Sequence, residues 1–276
     1  MSGHTPDHDR GLAFDLATLN RRRVLALFGG AGLATLVGCA SGSTDQTAAA
    51  SSTTSATSST STAASASSAA ACATEIPEET AGPYPGDGSN GPNVLTESGI
   101  VRSDIRSSFG SASGTAQGVP LTITLTVQQD CKALAGAAVY LWHCNRDGNY
   151  SMYSQGVTDQ NYLRGVQETD SSGQVTFTSI FPAAYSGRWP HAHFEIYPSV
   201  AEATKAGDPL KTTQLAFPQD VCEKVYATDG YSASVRNLAS TSLEKDNVFS
   251  DGHDTQLATV TGDVTSGFTA KLVVGL

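Results

Sequence analysis

Along residues 121–127, Leu121, Ile123, Leu125 and Val127 alternate with Thr122, Thr124 and Thr126. A period of two places the four apolar side chains on one face of a strand and leaves the threonines on the other. Further short β-rich runs fall at 139–142, 175–181, 191–197 and 268–274, between turn-forming pairs such as Asp147-Gly148 and Ser172-Gly173. Helical periodicity is weak, with short helices expected only near 200–205 and 220–226. The pattern predicts an all-β domain, a β-sandwich with long active-site loops.

The first quarter of the chain carries no such pattern. Residues 40–71 are dominated by Ser, Thr and Ala, with Asp45 the single charge, and this composition cannot bury enough apolar surface to offset its ordering entropy. A disordered, flexible linker over 39–71 is therefore expected to precede a folded domain over 72–276. Residues 20–25 read Asn-Arg-Arg-Arg-Val-Leu, followed by a short, Gly-rich apolar run that ends in Leu36-Val37-Gly38-Cys39. The order of these features resembles a twin-arginine (Tat-type) lipoprotein signal peptide over 1–38, with Cys39 as the lipidated residue. The expected location is outside the cell, as a cell-surface or extracellular lipoprotein that touches the membrane only through that lipid.

The whole chain has 26 acidic against 16 basic residues and a formal charge of −10. Because Arg21–Arg23 fall in the leader, the domain is more acidic still, and nucleic acid is excluded as a partner. With Cys39 assigned to lipid, Cys72, Cys131, Cys144 and Cys222 remain. They allow up to two disulfides in an oxidising compartment, the pairing is open, and none has the spacing of a zinc site.

Chemistry concentrates in residues 180–196, where Tyr185, Arg188, His191 and His193 fall within nine positions. In a strand, His191 and His193 share a face, while Ala192, Phe194 and Ile196 occupy the other. Both imidazoles can then reach one metal ion as the apolar side enters the core. An H-x-H pair alone is a weak signal, since most such histidines are packed or exposed, so partners are needed. Tyr185, after Pro182-Ala183-Ala184, is one. Tyr150, in the loop after the strand that ends Val-Tyr-Leu-Trp-His-Cys, is another, with Tyr153 a less well-placed rival in the same loop. His143 is expected to be a hydrogen-bonded packing residue and His253 to lie in an exposed loop.

The ordered set Gly148-x-Tyr150 after Trp-His-Cys, Pro182-x-x-Tyr185 and Arg188-x-x-His191-x-His193 resembles the intradiol ring-cleavage dioxygenases, which include catechol and protocatechuate dioxygenases. The segments Glu79-Thr80-Ala81-Gly82-Pro83-Tyr84 and Thr213-Gln214-Leu215-Ala216-Phe217-Pro218 are similar to two further segments of that family. The resemblance implies a non-haem Fe(III) site with Tyr150, Tyr185, His191 and His193 as ligands. It also implies that Tyr185 gives way to the substrate and takes its proton, with Arg188 and Gln214 beside the substrate. The implied reaction is cleavage of a small catecholic aromatic by dioxygen between its two hydroxylated carbons, giving a muconate-type dicarboxylic acid. Two phenolates suit the hard ferric state better than zinc or copper.

Some positions depart from the family pattern. Only Ser186 and Gly187 separate Tyr185 from Arg188 where family members acting on aromatic acids carry a longer loop, and Ala183-Ala184 replaces a usual Gly. A helical dimerisation region is also lacking, so substrate preference and oligomeric state do not transfer. The competing reading, a non-catalytic cell-surface β-sandwich binding module on a stalk, accounts for the leader and linker but not for the four spaced ligands.

Overall fold

In the computed structural model, residues 72–276 are described. The expected signal peptide, the Cys39 lipid site and the linker lie outside the described residues. Among the described residues, nine strands form two sheets. In the first, β1 (Pro120–Gln129) is flanked by β5 (Gln174–Ile180) and β9 (Gly267–Gly275), with β8 (Thr259–Asp263) beyond β9 and the two-residue β2 (Lys132–Ala133) at the end of β1. In the second, β4 (Arg164–Glu168), β3 (Ala138–Trp142), β6 (His191–Tyr197) and β7 (Lys211–Ala216) lie side by side, antiparallel throughout.

The predicted alternation decides how the sheets meet. Leu121, Ile123, Leu125 and Val127 of β1 and Phe268, Ala270, Leu272 and Val274 of β9 turn inward, against Val139 and Leu141 of β3 and Phe194 and Ile196 of β6. The result is a sandwich core in which alternate residues of each strand interdigitate. The five strand runs read from the sequence are all present. The short helices are α1 (Val200–Ala203) and α2 (Gln219–Tyr226), both foreseen, and α3 (Ser232–Ala239), which was not.

The second sheet differs from the first because both of its faces are covered. Its outer face carries Tyr140, Trp142 and Tyr197, which pack with Tyr84, Val94, Leu95 and Ile100 from the segment before β1 and with Tyr150 and Tyr185 from two loops. Every residue of β3 and β6 is consequently buried. The expectation of up to two disulfides resolves into one: Cys72 and Cys131 are bonded, tying the start of the domain to the β1–β2 turn, while Cys144 and Cys222 are free and buried.

Candidate metal and substrate site

Strand register places the first side chains. Across the outer face of the second sheet, Trp142 is paired with Arg164 on one side and His193 on the other, and His193 is paired with Gln214. His191 lies two residues earlier on the same face. Its Nε2 is 3.1 Å from Nε2 of His193, so the even spacing read from the sequence brings the two imidazoles tip to tip.

Two loops bring the tyrosines to that point. Tyr150 follows the turn at Asn145–Asn149, where the Asn145 side chain accepts from the backbone N–H groups of Asp147 and Asn149. The short link between Tyr185 and Arg188 is a tight turn with Gly187 at φ +82°, closed by a 3.4 Å bond from Arg188 N–H to Tyr185 O. A residue with a side chain at Gly187 would be strained there. Tyr150 Oη and Tyr185 Oη lie 3.5 and 3.2 Å from His191 Nε2, respectively. The rival Tyr153 is engaged elsewhere: its hydroxyl accepts from Gly86 N–H at 2.8 Å and donates to Asn90 at 2.7 Å.

The electrostatics suit a cation. Nδ1 of His191 is 2.5 Å from Trp189 O. A carbonyl can only accept, so the ring proton sits on Nδ1 and Nε2 presents a lone pair to the cluster. His193 Nδ1 is buried and makes no bond of good geometry, although the Thr80 backbone is close enough to act on it. Burial, then the Arg188 charge, hold His191 well below the usual imidazole range; burial, His191 and then Arg188 do the same for His193. Burial and then the neighbouring Tyr185 hold the Tyr150 phenol well above its usual range. Two neutral imidazoles and two phenol oxygens thus converge in a water-poor place, and a bound metal ion would draw the phenols into their anionic form. The donor set fits ferric iron. No group of three or more His, Cys, Asp and Glu that could hold a metal stands elsewhere among the described residues.

Arg188 is fully buried beside this cluster. Its Nε donates to Asp246 Oδ2 at 2.9 Å and its Nη2 to Gln214 Oε1 at 2.7 Å. Gln214 in turn donates from Nε2 to Thr80 O at 2.9 Å, fixing the 79–84 segment over the site. All six residues singled out from the sequence are therefore brought together. His143 is buried, with ring nitrogens 2.7 Å from Cys144 O and from Ser179 Oγ, a packing residue as expected. His253 is half-buried rather than exposed, because its Nδ1 turns back toward Phe249 O.

Comparison with known proteins follows the same lines. A family model described as Dioxygenase matches residues 91–254, well over half of the chain and a span that includes all six of these residues. The chain belongs to the intradiol ring-cleavage dioxygenase family. An intradiol ring-cleavage dioxygenase from Tetranychus urticae shares the fold, with a TM-score of 0.59 and 24% identity over 73% of this chain and 94% of that one. Catechol 1,2-dioxygenase 2 of Acinetobacter lwoffii is 40% identical over 58 residues, 21% of each chain. Chlorocatechol 1,2-dioxygenase of Rhodococcus opacus is 40% identical over 52 residues, 19% of this chain and 20% of that one. The matched stretches span about a fifth of the length of these curated relatives.

Sequence reasoning missed one residue that is joined to this cluster, Asp246. It is completely buried and accepts from Arg188 Nε, from Trp189 N–H at 2.6 Å, and from Val248 N–H at 2.8 Å. It lies 58 residues from Arg188 in the chain, within a polar stretch whose pattern carries no signal of burial.

Proposed function

We propose that this chain is a non-haem Fe(III)-dependent enzyme that opens small catechol-type rings with dioxygen between the two hydroxylated carbons, giving muconate-type dicarboxylic acids. The observation that carries the reading is the convergence of Tyr150, Tyr185 and His193 on Nε2 of His191, all within 3.5 Å. Ferric iron held by Tyr150, Tyr185, His191 and His193 would supply the charge that ionises the catechol and activates its ring toward dioxygen.

The chain's own groups do the rest. Both tyrosines sit on loops, but the Tyr150 backbone is pinned by Ser154, whose Oγ accepts from Tyr150 N–H and whose N–H donates to Tyr150 O. Tyr185 is the more exposed of the two, beside the Gly187 turn. Tyr185 is therefore the ligand placed to swing away, and its phenolate oxygen accepts a proton as the catechol binds. His191 and His193, fixed in β6, stay in place. Arg188, oriented by Asp246 and Gln214, holds a positive charge against the negative charge that builds on the substrate. Tyr84 lies against the Tyr150 ring at 4.9 Å between centroids and keeps water from that side. Export as a tethered lipoprotein through Cys39 belongs to the same proposal. It is supported by the Arg21–Arg23 leader and by the Cys72–Cys131 disulfide, which suits an oxidising compartment.

The test is spectroscopic. Purified protein loaded with ferric iron should show a broad visible tyrosinate-to-iron band that shifts on anaerobic addition of catechol, and air should then convert the catechol to a muconate-type product with one dioxygen consumed per ring. A colourless protein that retains no iron and leaves catechol intact would overturn the reading.

A further inference from the structure

Two buried charged side chains, Arg164 and Glu195, take no part in the proposed chemistry, and only Arg164 is a cation. Arg164, at the start of β4, is 1% exposed, yet it pairs with no carboxylate among the described residues. Its five N–H groups are nonetheless all engaged. Nε donates to Ser151 Oγ at 3.1 Å, Nη1 to Pro85 O at 2.8 Å and Tyr140 Oη at 3.1 Å, and Nη2 to Tyr84 O at 2.9 Å and Ser151 O at 3.0 Å. Burying a guanidinium against neutral oxygens alone gives up hydration without the return of an ion pair, so stability by itself is a poor reason to keep it. Its planar fork does what few side chains can, which is to hold several backbone carbonyls in fixed directions at once.

Those carbonyls belong to the segments that carry the site. Ser151 directly follows Tyr150, so two of the five bonds, one to its backbone carbonyl and one to its hydroxyl, hold the residue next to one proposed ligand. Tyr84, whose carbonyl takes another, packs against the Tyr150 ring. The bond to Tyr140 reaches a second ligand: Tyr140 stacks on Trp142 at 4.8 Å, and Trp142 stacks on His193 at 5.0 Å with the rings within 7° of parallel. Arg164, Trp142 and His193 also stand in one cross-strand row, so the register builds this connection into the sheet.

We infer that Arg164 is a positioning residue that sets Tyr150 and His193 relative to each other, through Ser151 and Tyr84 on one arm and the Tyr140–Trp142 stack on the other. The inference rests on the ferric-iron reading for its consequence, but the positioning itself is a property of the metal-free protein.

The experiment uses the full chain and two variants. Arg164→Lys keeps the charge but offers at most three donors; Ser151→Ala removes one bond of the five and spares the guanidinium. In metal-free protein, amide exchange at Tyr84, at Gly86 and over 150–154 should accelerate at least tenfold in Arg164→Lys, and less in Ser151→Ala, with the sandwich strands unchanged. In iron-loaded protein, a chelator should strip iron at least tenfold faster from Arg164→Lys and the tyrosinate-to-iron band should move, whereas a residue with a merely structural role would lower the melting temperature and leave the band in place. Unchanged exchange in both segments, together with iron retention within twofold of the parent, would overturn the inference. If Arg164→Lys fails to fold, Ser151→Ala decides by the same readouts. If the parent itself shows no band with iron, the ferric reading fails and the exchange rates alone judge the positioning.

Discussion

The two faces of the β4–β3–β6–β7 sheet are built from the same strands and are equally buried, yet they answer to different demands. The inner face, with Val139, Leu141, Phe194 and Ile196, packs on the other sheet, and its energy is that of apolar burial. The outer face places Trp142, His191, His193, Glu195 and Gln214 in an equally dry setting, where polar side chains return less in stability. One residue along β6 separates the two regimes. The sheet therefore works as a rigid plate, with stability supplied from one side and chemistry displayed on the other.

Neighbours on β6 put this contrast to its sharpest test. Phe194→Ala should cost about 3–5 kcal/mol, as large-to-small changes in a packed core do. His193→Ala should cost only about 1–2 kcal/mol in the metal-free protein, chiefly the lost stack on Trp142 and a small void, while iron loading collapses. Denaturant melts and metal analysis of the two variants decide the matter, and equal losses of stability would erase the distinction between the faces.

Asp246→Asn comes next. It removes the carboxylate from a fully buried Arg188 and leaves a guanidinium with a neutral partner in its place, a loss of up to about 3 kcal/mol. Iron should still bind, because Asp246 is not among the proposed ligands, but turnover should fall at least tenfold as Arg188 loses its orientation. Undiminished turnover would show that Arg188 needs no anchor.

How far each face could be read from the sequence follows from the same physics. The inner face was legible because burial imposes a period of two, which Leu121 to Val127 display openly. Half of the outer face was legible because His191 and His193 share a strand, and the tyrosines were placed by ordered motifs rather than by periodicity. Tyr140 and Trp142 were harder, since a strand buried on both sides reads as a continuous apolar run and hides which residues face the site. Asp246 and Arg164 could not be found. A buried charge is recognised by its partners, and those partners come from segments 58 residues away for Asp246 and as far as 80 for Arg164. The same limit applied to the cysteines: four could pair three ways, and only the fold brings Cys72 to Cys131 while enclosing Cys144 and Cys222 singly.

The smallest expected effect lies at the rim of the outer face. Burial, reinforced by Asp251 and opposed by Arg188 and Gln256, raises the half-buried Glu79 carboxyl from 4.5 to about 7. A carboxyl raised in the folded state binds its proton more tightly there than in the unfolded chain. Its contribution is therefore favourable at low pH, declines as pH rises from about 4.5, and is lost above about 7. Glu79→Gln removes that dependence. Its stability relative to the parent should be level near pH 4.5 and should rise to a gain of about 1–2 kcal/mol by pH 8, the full value of the shift being discounted for partial exposure. Melting temperatures of the metal-free proteins across that range measure the gap. A gap that does not change with pH would mean that the ionised carboxylate is already matched by the Arg188 charge, so that the rim, like the inner face, was built for stability.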